Sequence, residues 1–395
     1  MRRQHGRRGS TAASWHWGLL LHLLLLLQVA AVHAGNWMYL GMVGVTQLLP
    51  QGDQEVQNVS TATAVSICQH LPGLVQQQVA VCQNHPDAIR SVSDGARLGI
   101  NECQYQFRNE RWNCTTGADI DYPFGFTLRR GSKETAFIYA VTSAGVVHAV
   151  TQACSSGNLT DCSCDMSKQG LSTPEGWKWG GCSDNLRFGV QFARQFVDAP
   201  EKERHKKLKR RRNLMNLHNN EAGREAVARL MKMQCRCHGV SGSCELKTCW
   251  RSIPTFPVVG DYLKGKYLTT LRPPRNKQFT HKKMRGSRWR DSSRRRRKRR
   301  GRRKRRFLAE KDELVHIHKS PNYCIQNPKK GILGTQGRFC NKTSHGADSC
   351  DLLCCGRGYN TQVVRYVERC HCKFVWCCHV QCKTCITNVD VHTCK

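Results

Sequence analysis

Six residues, His238, Gly239, Val240, Ser241, Gly242 and Ser243, lie between cysteines in the run CRCHGVSGSCELKTCW. The spacing of Cys235, Cys237, Cys244 and Cys249 suits a hairpin stapled twice, by nested Cys235–Cys249 and Cys237–Cys244 bridges, with those six residues at its tip. Gly239 and Gly242 let such a tip turn tightly. The Ser241 hydroxyl then sits on a rigid, exposed loop, where three roles compete. It can be an ordinary turn serine. It can be a nucleophile, but the elbow of serine hydrolases is Gly-x-Ser-x-Gly on a strand-to-helix turn. Here Ser243 stands where the last glycine belongs, and cysteines brace a hairpin instead. It can be the acceptor for a modifying enzyme, which needs a hydroxyl that is presented rather than enclosed. No convergent set of acid, base and nucleophile accompanies Ser241, so the chain reads as a non-enzyme. The residues alone leave turn serine and modification site open.

A second constellation is CHCKFVWCCHVQC, from Cys370 to Cys382. Phe374, Val375, Trp376 and Val380 make a strand-prone run between cysteines. A Cys372–Cys382 bridge would close a hairpin with Phe374 to Cys378 at its tip. Exposed aromatics on a rigid tip make a binding anchor; the plainer role for Trp376 is packing in a tiny domain. Cys377 and Cys378 can bond to each other or bridge elsewhere from opposite faces. Adjacent α-carbons lie ~3.8 Å apart, below the usual disulfide span of about 4.4–6.8 Å, so a ring between them would be strained.

The rest of the chain must position these two tips. Arg2, Arg3, Arg7 and Arg8, a leucine run from Leu19 to Leu27 and the exit Val32-His33-Ala34 read as a secretory signal peptide over 1–34. The 24 cysteines all follow it. An even, dense set on a secretory route implies a disulfide framework. Zinc is disfavoured, because only Cys382 and Cys385 have knuckle spacing. The formal charge of +35 is concentrated. Residues 282–306 hold seventeen Lys and Arg against one Asp, and 202–212 hold eight against Glu203. Such runs repel and suit loops. Outside the cell they suit polyanions such as heparan sulfate rather than nucleic acid, and they attract furin-like proteases. The internal KDEL at 311–314 is not C-terminal and is no retention signal.

Residues 35–66 read as a flexible arm. Ala96, Ile100, Cys103 and Phe107 mark one face of a helix. Ser132 is an N-cap with Glu134 in the following turn, and ETAFIYAVTSAGVVHAV is apolar nearly all round, which describes a buried central helix. A basic loop over 198–212 precedes a further helix in NLHNNEAGREAVARLM. Twelve cysteines crowd into 324–395, a stretch too poor in apolar residues to fold without cross-links. The fold class is α+β and disulfide-rich. A helical N-terminal domain occupies 67–250, a linker with the polybasic insertion 251–310, and a small cysteine-rich domain of β-hairpins 311–395. Four Asn-x-Ser/Thr sequons occur, at Asn58, Asn113, Asn158 and Asn341. Asn158 and Asn341, in polar loops, are the best placed. Asn113 adjoins Cys114, so folding can hide it.

The tip cluster, together with ECQYQFRNERWNC, GWKWGGCSDN, NLHNNEAGR, CNKTSHGADSCDLLCCGRGY and ERCHCKFVWCC, resembles the Wnt family of secreted signalling proteins, in order, over most of the chain. The length and basicity of 202–212 and 282–306 depart from the family pattern. The resemblance implies a monounsaturated fatty acyl (palmitoleoyl) ester on Ser241, added by the acyltransferase Porcupine, with no other cofactor and no metal. It implies export by the carrier Wntless and binding to the Frizzled cysteine-rich domain by an acylated thumb (His238 to Gly242) and a finger (Phe374 to Cys378). A low-density-lipoprotein-receptor-related protein is the implied co-receptor. The family pattern favours the Cys377–Cys378 ring. With the spacing, it suggests Cys68–Cys82, Cys103–Cys114, Cys154–Cys162, Cys164–Cys182, Cys324–Cys355, Cys340–Cys350, Cys354–Cys394 and Cys370–Cys385. The alternative is a heparin-binding growth or matrix factor that acts through its basic tracts without acylation.

Overall fold

The computed structural model describes residues 36–45, 61–116, 123–207, 210–274, 279–281 and 307–395. The expected signal peptide, Asn58 and the polybasic insertion at 282–306 lie outside the described residues.

Helices α1 (Leu40–Val43), α2 (Thr61–His70), α3 (Gln76–Asn84), α4 (Ala88–Phe107), α5 (Gly125–Arg130), α6 (Lys133–Ser155), α7 (Leu186–Phe196), α8 (Ala199–Lys207), α9 (Arg210–Arg229) and α10 (Phe256–Leu268) build the N-terminal part. At its centre is α6, capped by Ser132 in a reciprocal box with Thr135 and buried nearly all round. It is long and apolar enough to span a bilayer, yet it lies inside the protein. Small residues let its neighbours approach to backbone contact. A Cβ on Gly145 would sit 2.1 Å from Gly95 O, and one on Gly223 1.9 Å from Ala140 O. Phe107, Phe137 and Tyr267 meet edge to face, with ring centroids 4.8–6.1 Å apart, and lock α4, α6 and α10 together.

Three expected boundaries change. Residues 36–45 are no arm: Asn36 caps a 3₁₀ turn at Trp37–Tyr39, and Trp37, Met38 and Leu40 are buried in the main core. Apolar burial outweighs the polar composition around them. The basic segment 198–212 is helical where described, as α8 and the start of α9. Its inner side supplies buried polar partners that offset the charge repulsion. Tyr139 donates to Glu201 Oε1 at 3.0 Å, and Asn213 Nδ2 donates to Glu201 O at 3.0 Å. Within the expected linker, α10 is a core helix carrying Val259 and Leu263. Strands β4 (Phe279–His281) and β5 (Phe307–Ala309) pair in parallel at the two ends of the polybasic insertion.

Residues 311–317 also join the helical part. Asn219 Nδ2 donates to Val315 O and Asn219 Oδ1 accepts from Val315 N, both at 2.9 Å, as a strand neighbour would. The KDEL run is folded in: Leu314 is buried, and Asp312 accepts from Lys266 Nζ (2.7 Å) and Tyr262 Oη (2.9 Å). Arg224 forks onto buried Asp198 with two bonds of 3.1 Å, and Glu221 joins Arg224 to Arg194. Breaking such a buried pair leaves a charge without compensation.

The C-terminal part is a three-stranded sheet in the order β6 (Phe339–Cys340), β8 (His379–Cys394), β7 (Tyr359–Val375), with α11 (Cys350–Leu353) at its base. Its core is only Cys350, Leu353, Cys354 and Cys394, with Cys340 and Tyr359 against them. Arg338 docks it on the helices by donating to the carbonyls of Arg108, Glu110 and Arg111.

A Gly145→Ala variant should lose about 1–3 kcal/mol or more by overpacking against Gly95. Gly265→Ala, where a Cβ meets nothing within 4 Å, should gain up to about 1 kcal/mol. Urea midpoints of the two variants check this.

Stability should also fall in two steps on acidification. Burial, with the charges of Lys133 and Arg272, holds His316 at about 4 against an ordinary 6.5. Its contribution is complete above pH 6.5 and lost as the pH falls towards 4. Burial would raise the Glu221 carboxyl, but the Arg194 hydrogen bond and the Arg224 and Arg194 charges outweigh it and hold it at about 2. That contribution is complete above pH 4.5 and lost towards pH 2. In His316→Gln, urea midpoints should flatten between pH 6.5 and 4.

Candidate functional site

The first tip grows from strands β2 (Lys232–Cys237) and β3 (Lys247–Ser252), which pair antiparallel with Cys235 directly opposite Cys249. Disulfides join Cys235 to Cys249 and Cys237 to Cys244. Above the second bridge the chain folds on itself. Gly239 N donates to Ser243 O (2.8 Å), Gly242 N to Gly239 O (2.9 Å) and Ser243 N to Val240 O (3.1 Å). Gly239 is required here, because a Cβ would meet Ser243 Oγ at 1.9 Å and Ser243 O at 2.6 Å. His238 pairs with Thr248 Oγ1 at 2.6 Å and anchors the loop to β3. Ser241 is exposed and takes the left-handed conformation, φ +56°, ψ +26°. A non-glycine residue there is uncommon and is held by its surroundings. The adjoining Val240 is 89% exposed. The site is an open presentation platform: Ser241 is exposed and has no hydrogen-bonded base among the described residues.

The base of this hairpin is tied to the core by the GWKWGGCSDN segment. Strand β1 (Lys178–Trp179) runs parallel to β3, and Gly180 N donates to Cys249 O at 3.1 Å. Asp184 accepts from Ser155 Oγ at the end of α6 and from Ile253 N at 2.7 Å. Asn185 then caps α7 through Phe188 N at 3.2 Å. The role of this segment as the hairpin's base is not legible in its residue types. Its only local signal is the density of Gly, Trp and Asx residues.

The second tip ends the long β7–β8 ladder. Phe374 faces Val380 and Val375 faces His379, so Trp376, Cys377 and Cys378 form the loop. Trp376 is 91% exposed and Phe374 72%, which removes the packing role for Trp376. Cys370–Cys385 and Cys372–Cys382 staple the ladder below, around an irregularity between Cys370 and Lys373 where His371 has φ +47°. Cys377 and Cys378 are exposed thiols with Sγ atoms 3.6 Å apart, so the expected ring is not formed. Both residues hold positive φ, +71° and +87°.

The other eight suggested pairs are bonded: Cys68–Cys82, Cys103–Cys114, Cys154–Cys162, Cys164–Cys182, Cys324–Cys355, Cys340–Cys350, Cys354–Cys394 and Cys370–Cys385. Asn158 and Asn341 are exposed, and Asn113 is half-buried beside bonded Cys114. NLHNNEAGR, noted in the sequence as helix, holds together α6, α8 and residues 313–315: Ser143 Oγ donates to Asn220 O, Asn220 Nδ2 to Asp198, and His218 Nε2 pairs with Glu313 O.

The Wnt family model matches residues 70–395. Protein Wnt-16 of Mus musculus is 49% identical over 370 residues, covering 91% of this chain and 92% of that protein. Protein Wnt-16 of Bos taurus is 49% identical over 368 residues, with the same coverage. A solved chain from human WLS in complex with WNT8A aligns with a TM-score of 0.52 and 37% identity, covering 78% of this chain and 94% of that one.

Removing the upper staple with Cys237→Ala/Cys244→Ala should free the first tip while leaving the lower bridge intact. Amide exchange at Gly239, Gly242 and Ser243 should accelerate, with β2 and β3 below Cys235 unchanged. Hydrogen-exchange mass spectrometry of peptides spanning 238–246 reads this out.

Proposed function

The chain belongs to the Wnt family of secreted signalling ligands, which are not enzymes, and from that premise we propose that it binds Frizzled receptors through a fatty acyl ester on Ser241 and through the Phe374–Cys378 tip. The observation that carries this reading is the placement of Ser241: exposed, left-handed, and fixed on a doubly cross-linked loop. A loop so braced serves a transferase first and a receptor groove afterwards. Burying ~10 methylenes of an acyl chain at about 0.8 kcal/mol each contributes on the order of 8 kcal/mol, roughly micromolar affinity. The exposed rings of Trp376 and Phe374 add a second anchor.

Porcupine is the proposed acyltransferase. Wntless is the proposed carrier, in keeping with the WLS complex among the similar structures. A low-density-lipoprotein-receptor-related protein is the proposed co-receptor. Export also makes Asn158 and Asn341 acceptors for N-glycans. The charge run at 282–306 favours a second, weaker contact with heparan sulfate, which should weaken as salt screens it.

Ser241→Ala should abolish measurable binding of the secreted protein to a Frizzled cysteine-rich domain, and Trp376→Ala should weaken it about tenfold or more, a loss of at least ~1.4 kcal/mol. Biolayer interferometry of secreted, folded protein checks both. Full signalling by the Ser241→Ala protein, with activity lost instead on deletion of 294–306, would replace this reading with a heparin-dependent growth or matrix factor.

A further inference from the structure

The sequon Asn341-Lys342-Thr343 follows the edge strand β6, and the residue two positions before its asparagine is Phe339. Phe339 is 73% exposed, an aromatic ring left in solvent on a small domain with almost no core. In extended chain, side chains two residues apart face the same side. Phe339 and Asn341 accordingly line one open concavity of about 650 Å³, together with Tyr366, Asp390 and His392. Asn341 Oδ1 accepts from Thr343 N (3.0 Å) and Thr343 Oγ1 (2.9 Å), and Nδ2 has no hydrogen bond among the described residues.

We propose that Phe339 is the platform for the first N-acetylglucosamine of a glycan on Asn341, a modification that rests on the secretory reading above. In attachment, Asn341 Nδ2 loses a proton and bonds to C1 of the sugar, while the lipid-pyrophosphate of the donor oligosaccharide leaves C1. The apolar C–H face of the pyranose then lies on the negative face of the ring, covering apolar surface on both. The occupant is the chain's own sugar, tethered two residues from the ring.

The test uses full-length secreted protein, trimmed by endoglycosidase to a single N-acetylglucosamine. Hydrogen exchange over 339–343 and 391–394 is compared with that of Asn341→Gln. The sugar should slow exchange several-fold when Phe339 or Phe339→Tyr is present and leave it unchanged in Phe339→Ala. Because Phe339 is exposed, Phe339→Ala should fold, and retained disulfides by peptide mapping establish that it has. Protection by the sugar that is equal with and without the ring overturns the proposal. So does a bare Asn341 on protein that carries sugar at Asn158. Failure of export, with no sugar at any sequon, overturns the secretory reading as well.

Discussion

A two-stranded ribbon with water on both sides is marginal by itself, and this protein projects two of them. Residues 359–394 form a ladder whose side chains are mostly exposed on both faces, from Val363 and Tyr366 to Ile386 and Val389. In the hairpin at 232–252, β2 is nearly as bare, whereas β3 is half-buried at its root. Neither has a layer to pack on, so burial cannot hold its shape. Covalent bonds do so: two bridges in each hairpin, and three more at the root of the longer one. By shrinking the unfolded ensemble they let apolar tips stay in water without collapsing inwards.

The helical part answers the opposite problem. It has apolar surface to spare and uses glycines to bring backbones together around α6. Its buried polar groups act as joints between elements distant in sequence. Asn219 receives residues 313–315, Asp184 ties the hairpin base to the end of α6, and Arg338 brings the cross-linked sheet to the end of α4. Each joint pairs backbone groups, and at Asn219 these would otherwise be buried unpaired, which makes it specific as well as attractive.

Local features of this architecture were legible in the sequence. The nested bridges around Ser241 follow from four closely spaced cysteines, and the cap at Ser132 with the apolar body behind it describes α6. What stayed hidden depends on partners far along the chain. Residues 199–212 look like a repelling run until Asp198 and Glu201 find Arg224 and Tyr139. Pro254, Pro257, Gly260 and Gly265 make 254–268 look like a linker. Yet Pro257 lies in the first turn of α10, where a missing N–H costs nothing, and Gly260 makes room for Glu102. Trp37, Met38 and Leu40 span too few residues to show a period. At the tips, the short-range pattern located Ser241 and Trp376, whereas residue types do not report the Sγ separation of 3.6 Å that leaves Cys377 and Cys378 as thiols.

Every disulfide falls within 68–249 or within 324–394, and the two remaining cysteines lie in the second span. No sulfur bridge therefore crosses the polybasic insertion. If a protease nicked the backbone there, the two fragments would be mated by non-covalent contacts alone, among them the Asn219 clasp, the His218–Glu313 pair, the Asp312 ion pairs, buried Leu314 and the Arg338 dock. The serine tip and the tryptophan tip would then ride on separate polypeptides. They would migrate together in native buffer and come apart in denaturant with no reductant added.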